Sequence, residues 1–367
     1  MARILIIGAG VMGSALAVPA IDNGHRVKLV GTHLDDAIIA ALKADRGAHP
    51  KLQAPLPESV QPHAIAELTP RLAADADLVI VGVSSAGIAW ALDLLARILT
   101  EPKPLVLVTK GLGRLGDGLQ SFVEVLARGL VARGLPAMPV IGVGGPCIAK
   151  ELADRQPSCV VYAGADAGAL DRARILMQTA YYRVLTSTDV TGVEACAALK
   201  NFLTIAVSAM ATRYPEPNPQ PHKPRAMNPI AAAFNQAVRE MAGLTAWLGG
   251  EPGTAFDLAG LGDLYVTVGG GRNSRLGLLL GEGMSLRDAL AGPLAGETVE
   301  GVDTGVALAP ALESAFRAGA LAPDAYPITR ALIATIRDGA PFDIDFTRLR
   351  PAPLTPGGAH TGLAQSA

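Results

Sequence analysis

The chain has 367 residues, half of them hydrophobic, with a formal net charge of −2 and three cysteines. That content can fill one large core or two, and the near-zero charge excludes a general attraction to nucleic acid or an acidic membrane surface. Cys147, Cys159 and Cys196 form neither a close pair nor a metal-ligand spacing, the histidines show no His-x-x-His or Glu-x-x-His pairing, and no membrane span is expected, so the chain reads as cytoplasmic, without disulfides or a metal.

The first element is the apolar run Ile4-Leu5-Ile6-Ile7, which leads directly into Gly8-Ala9-Gly10-Val11-Met12-Gly13 and then a helix from Ser14-Ala15-Leu16-Ala17. In a Gly-x-Gly-x-x-Gly turn the first glycine permits the tight turn, the second admits a pyrophosphate to the backbone, and the third lets helix and strand pack closely. The start of the helix presents unpaired N–H groups and a positive dipole end, both suited to an anion. The small residues at 15–17 also resemble a signal-peptide cleavage site, but three glycines interrupt the apolar stretch and a second strand follows on schedule. Pro19 is expected to kink or shorten this helix.

Val27–Val30 reads as the second strand, and Leu78–Val83 as a buried one ending at Ser84-Ser85, which can cap a helix whose apolar face is Ile88, Leu92, Leu95 and Leu99. Pro104–Thr109, Val140–Val143 and Ser158–Tyr162 complete the strand signals. Alternating strand and helix signals predict a parallel sheet covered on both faces over residues 1–190. From about Val190 helical patterns take over, and Val193–Met210 is apolar nearly all round, as in a helix buried within a helical domain over 191–350. The run Tyr214–Pro224 has proline at alternate positions at first, which favours extended polyproline II, and residues 351–367 read as a loose tail.

In open parallel sheets ligands lie beyond the carboxyl ends of the strands, so Ser84, Lys110-Gly111 and Gly144-Gly145-Pro146 are the first places for chemistry. Lys110 is a cation at such an end, where it could meet a phosphate or carboxylate or simply face solvent. Lys200 stands in Ala195–Ala206, where little else is polar; an ammonium there needs partners, gives up its proton, or snorkels to water. A lysine with a lowered proton affinity is a natural general base. Asp263 in Ala259–Leu264 and the run Gly269–Asn273 are a third candidate, because glycine-rich backbone ahead of Arg272 fits close approach to an oxyanion. Neither a nucleophile elbow nor a P-loop lysine motif is present.

Together these motifs resemble the NAD(P)-dependent glycerol-3-phosphate dehydrogenase family. The likeness runs from Arg3 to about Phe346 in the family's order, through the glycine turn, Thr109–Leu112, Gly145–Glu151, Ala198–Asn201, Ala259–Leu264, Gly271–Asn273 and Val299–Gly301. The resemblance implies an α/β fold, a Rossmann-type doubly wound sheet followed by an all-α domain. It implies reversible hydride transfer between NAD or NADP and C2 of glycerol 3-phosphate, dihydroxyacetone phosphate or a related polyol phosphate. Lys200 is similar to the family's proton-transfer residue, Lys110 to its second lysine near the reacting oxygen, and Asp263 to the partner carboxylate. Two nearby ammonium groups would lower the proton affinity of one. Substrate contacts would come from Lys110, Gly145, Cys147, Gly271, Arg272 and Asn273. Dinucleotide contacts would come from Gly8, Gly10, Val11, Met12, Gly13, Ser84, Lys110, Ala149, Arg272, Thr298 and Glu300. A homodimer is expected, with a small phosphorylated polyol as substrate.

The chain also departs from the family's pattern. Cys147 stands where the family usually has serine, and a thiol is the weaker donor. An arginine expected ahead of the helix holding Glu240 is absent from Met227–Ala232, behind the proline-rich insert, so Lys223 or Arg225 replaces that charge or the substrate differs. The insert is therefore expected to admit a somewhat different anionic polyol. Gly31-Thr32-His33 ends the second strand, with Asp35 and Asp36 slightly later and no arginine, which leans toward NAD. The rival readings are a ketopantoate-reductase-like enzyme of a carboxylate substrate and a non-catalytic dinucleotide-binding regulator. Gly271-Arg272-Asn273 argues against the first, and the presence of both Lys110 and Lys200 against the second.

Overall fold

The computed structural model describes residues 1–45, 47–115, 118–219 and 225–349. It divides into two compact units, Met1–Glu194 and Ala195–Ala367. Among the described residues the first unit carries ten strands: β1 Arg3–Ile7, β2 Arg26–Val30, β3 Gln61–His63, β4 Leu78–Val81, β5 Leu105–Leu107, β6 Leu112–Leu115, β7 Gly118–Ser121, β8 Val140–Gly144, β9 Ser158–Ala163 and β10 Tyr182–Ser187. Its helices are α1 Val11–Asp22, α2 Asp36–Ala44, α3 Pro70–Ala74, α4 Ile88–Ile98, α5 Phe122–Ala132, α6 Ala149–Ala153 and α7 Ala167–Met177.

Eight strands form one sheet in the order β10-β9-β8-β5-β4-β1-β2-β3, while β6 and β7 make a separate antiparallel hairpin. The order 3-2-1-4-5 followed by β8 is that of the doubly wound dinucleotide fold, with its switch point between β1 and β4. Side chains alternate across β1. Ile4 and Ile6 join Leu16 and Leu29 in one core, whereas Leu5 and Ile7 join Leu92, Leu95 and Leu126 in another. Because both faces are covered, the strand reads as a continuous apolar run rather than as alternation.

The sheet is not wholly parallel as expected: β9 runs antiparallel to β8, and β10 is parallel to β9. Apolar runs of buried strands look the same in either direction, so composition carries no sign of the reversal. The pattern also gives no signal for β3, β10 or the hairpin. The first is a three-residue edge strand containing proline, and the hairpin is rich in glycine. Pro19 sits inside α1 without ending it at once, because the helix runs only to Asp22 and little ladder remains to lose. Ser84 precedes a short 3-10 turn at Ser85–Gly87, with no side-chain capping bond, and α4 then buries Ile88, Leu92 and Leu95.

The remaining helices are α8 Val190–Arg213, α9 Met227–Trp247, α10 Asp263–Val268, α11 Arg272–Gly281, α12 Leu286–Ala291, α13 Glu300–Arg317 and α14 Pro327–Asp338. The division between units falls in the first turns of α8. This helix is long and apolar enough to cross a bilayer by composition, yet 89% of the relevant window is buried inside the protein, as a central core helix requires. Gly277 and Gly281 on α11, and Gly301 on α13, touch the backbone of α8 so closely that any Cβ there would collide with Ile205, Ala209 or Asn201 carbonyls. Small residues thus bring the C-terminal half of α11 and the start of α13 against the middle of α8. Of the proline-rich insert, 220–224 lie outside the described residues, as do the tail 351–367 and Lys223.

Candidate functional site

At the carboxyl end of β1 the three glycines have different physical reasons. Gly8 has φ +108°, and a Cβ there would strike the carbonyl of Gly82 at the end of β4. A Cβ on Gly13 would strike the carbonyl of Gly8. Both therefore serve the packing of strand against helix. Gly10 has an ordinary φ of −63°, and a Cβ there would meet no protein atom within 4 Å. Nothing in the protein itself requires glycine at that position; open space beside the start of α1 fits a bulky anion brought close to the backbone. Gly10 gives α1 no side-chain cap, so the first-turn N–H groups of Val11, Met12 and Gly13 face this space without one. A dinucleotide pyrophosphate fits this donor set.

The turn after β2 is tied to the glycine turn. Asp35 Oδ2 accepts from the Ala9 N–H at 3.1 Å, from the Thr32 N–H at 2.8 Å and from Thr32 Oγ1 at 2.8 Å. His49, buried, lies 3.1 Å from the Ala9 carbonyl through Nε2. His33 is exposed and packs edge-on to Trp90, with ring centroids 5.6 Å apart. Ser84 is exposed beyond β4, one strand from the glycine turn.

Beyond β5 and β8, register brings two further residues together. Leu107 pairs with Gly142, and three residues on, Lys110 Nζ donates to the Gly145 carbonyl at 3.2 Å. Cys147 is half-buried against the core that holds α1, and Ala149 begins α6, which packs on α1. Glu194 is fully buried within this unit, and neither carboxylate oxygen has a hydrogen-bond partner. Burial pushes its carboxyl up to about 8, with the Lys110 ammonium opposing and Glu124 adding to the rise.

In the second unit, Lys200 is 9% exposed, and Nζ donates to Asp263 Oδ1 at 2.6 Å and to Thr267 Oγ1 at 3.0 Å. The snorkelling alternative is therefore set aside: the ammonium has buried partners. A π-helical turn at Leu258–Gly262 precedes Asp263, and its Gly260 fits against Ala255 where a Cβ would collide with backbone. Thr267 lies one helical turn after Asp263 and hydrogen-bonds the Asp263 carbonyl at 2.6 Å, so α10 offers both acceptors from one face.

Asn273 joins three helices: Nδ2 donates to Asn201 Oδ1 at 3.1 Å, and Oδ1 accepts from the Gly301 N–H at 2.8 Å. Next to it Arg272 pairs with Glu300, both half-exposed. Gly271, φ +100°, is the residue before α11 and gives it no side-chain cap, so Arg272 adds a guanidinium to an uncapped helix start. Thr298 directly precedes Val299, at the start of α13. Arg225 is exposed two residues before α9.

The motif reading singled out Lys110, Lys200 and Asp263 but missed Thr267 and Glu194. Thr267 had a usable signal, a hydroxyl four residues beyond Asp263 on one helix. Glu194 had none, because whether an acid at the start of a helix is solvated or buried is decided by the sheet packed against it.

Comparison with known proteins adds to this geometry. Residues 3–169 match the family described as NAD-dependent glycerol-3-phosphate dehydrogenase N-terminus, and residues 189–344 the corresponding C-terminus. The NADP(+)-dependent glycerol-3-phosphate dehydrogenase of Archaeoglobus fulgidus is 36% identical over 78% of this chain and 82% of its own. The glycerol-3-phosphate dehydrogenase [NAD(P)+] of Corynebacterium aurimucosum is 31% identical over 94% and 96%. Among solved structures, the glycerol-3-phosphate dehydrogenase of Coxiella burnetii superposes with a TM-score of 0.74 at 25% identity, covering 93% of this chain and 96% of that one.

Proposed function

Because the chain belongs to the NAD-dependent glycerol-3-phosphate dehydrogenase family, we propose that it interconverts glycerol 3-phosphate and dihydroxyacetone phosphate. The observation that carries the reading is the buried Lys200 ammonium on Asp263 and Thr267. When bound, NAD or NADP supplies the hydride acceptor or donor. Lys200 handles the accompanying proton. With Lys200 charged on Asp263, the pair is the acid form, ready to protonate the oxygen at C2 when the ketone is reduced; in the oxidative direction the neutral amine takes the hydroxyl proton. Asp263 holds the lysine in place and stabilises its charged form, and the Thr267 hydroxyl fixes the direction of Nζ.

Lys110 supplies a second positive charge for the substrate, and Arg272 with the start of α11 forms the anion-binding group for its phosphate. Gly8, Gly10, Val11, Met12, Gly13, Ser84 and Ala149 make up the dinucleotide side, with Thr298 and Glu300 adding contacts from α13. Cys147 and Gly145 complete the substrate contacts, with Asn273 fixing the α11 backbone. Asp35 is bonded to Ala9 and Thr32, and the lean toward NAD rests on the absence of an arginine just after β2. The expected assembly is a homodimer.

The test is NAD(P)-linked turnover of glycerol 3-phosphate beside longer polyol phosphates, with both cofactors. Absence of NADPH or NADH formation with every polyol phosphate would overturn the reading. A strong preference for the smallest substrate would refute a role for the insert in admitting larger ones. Gly10→Ala sharpens the cofactor assignment: the fold should be unaffected, because a Cβ there meets no protein atom within 4 Å, while NADH binding weakens at least about tenfold.

A further inference from the structure

Glu194 is a buried acid for which the catalytic scheme above has no role. Its surroundings are hollowed out for it: a Cβ on Gly142 of β8 would lie 2.5 Å from Glu194 Oε1 and 2.9 Å from Val123 Cγ2. The side chain is fully buried and both oxygens lack a hydrogen-bond partner. An unsatisfied carboxyl in such a place costs stability, and an apolar side chain of the same size would avoid that cost. The groups that face it are Lys110, beyond β5, and Glu124, on α5. The same strand that accommodates the carboxyl at Gly142 receives the Lys110 ammonium at Gly145, through the parallel register of β5 and β8.

We propose that Glu194 is a positioning residue for Lys110: its buried carboxyl, seated against Gly142, tunes the charge and orientation of the ammonium that the Gly145 carbonyl holds. The inference rests on the reading of Lys110 as a substrate-facing cation. While the carboxyl is protonated, it places no charge on the ammonium that the Gly145 carbonyl holds. Once Glu194 ionises, the anion draws on the ammonium and raises its proton affinity. No neighbouring donor compensates the carboxylate, so its influence on the ammonium is not shared out among other groups.

Two measurements on Glu194→Gln test this. In the first, KM for glycerol 3-phosphate is followed from pH 6 to 9.5; the wild type should show a rise centred near pH 8 that the variant lacks, with kcat changing far less. A wild-type profile without that ionisation, or one that persists in Glu194→Gln, overturns the proposal. The second needs no turnover. Amine labelling of Lys110 at pH 9, read by peptide mass mapping on the full chain, should be roughly threefold faster in Glu194→Gln, as expected when the anion that raises the proton affinity of the amine is removed. Unchanged labelling overturns the proposal; faster labelling in a protein that turns over no polyol phosphate supports it while the substrate reading fails. Glu194→Leu serves as the folding control, expected to melt at or above the wild-type temperature and to have a KM that is independent of pH through 8.

Discussion

Among the described residues two glutamates are completely buried, one in each unit, and the protein treats them in opposite ways. Glu240 on α9 accepts from the Ile328 N–H at 2.9 Å, the Thr329 N–H at 2.7 Å and Gln236 Nε2 at 3.0 Å, and so caps the start of α14 from a neighbouring helix. Glu194 accepts from no one. Burial pushes both acids up, Glu240 to about 7 despite its donors and Glu194 to about 8. The difference teaches that burial alone does not define a role. A carboxylate surrounded by helix-terminal N–H groups is part of the scaffold, whereas one left without donors near the Lys110 ammonium is the one proposed to act through its charge. Lys200 with Asp263 belongs to the satisfied kind, although the task proposed for it is chemical.

The largest expected effect tests that last statement. Lys200→Ala should lower kcat by about 10³-fold, within the usual range for a lost proton-transfer group, with NADH affinity measured by fluorescence nearly intact. Near-normal turnover would place Lys200 with Glu240 as mere scaffold. Next, Glu240→Leu should cost about 2–4 kcal/mol in urea unfolding, because two N–H groups of α14 lose their acceptor in a dry site. A neutral result there would remove the contrast with Glu194. Arg272→Ala breaks a pair in which both members are half-exposed, so stability should move by less than about 1 kcal/mol while KM for the phosphorylated substrate rises about tenfold. A larger loss in melting than in KM would make Arg272 structural.

The last effect is a pH linkage. The native state keeps the Glu194 proton that the unfolded chain releases near 4.5, since its folded value is raised to about 8. Its contribution is therefore fully present below about pH 4.5 and is lost as pH rises toward 8. Glu194→Gln escapes this loss, so it should gain on the wild type by about 3 kcal/mol between pH 5 and pH 8, read as a melting-temperature gap that widens by several degrees. A gap that stays constant or shrinks with pH would mean that Glu194 is not held protonated.

Much of this was readable before any coordinates. The run Ile4–Gly13 fixed strand, turn and helix because each glycine there answers a local steric need or leaves a local space. Lys200 stood out because a cation in an apolar helix must be partnered. What could not be read were features set by neighbours distant in sequence. The β9 reversal leaves no mark on composition, and neither the bonds of Asp35 to Ala9 and Thr32 nor those of Asn273 to Asn201 and Gly301 follow from residues near them in sequence.

By itself, then, the sequence determined the strand–glycine turn–helix at the start, most of the strands of the first unit and the family, since these follow from spacing and side-chain type along a few consecutive residues. Tertiary structure decided which polar groups are satisfied: Lys200 found Asp263 and Thr267, Glu240 found the end of α14, and Glu194 found no donor. The physical reason is that the energy of a charge depends on the dielectric and the donors around it, and those are supplied by segments tens of residues away.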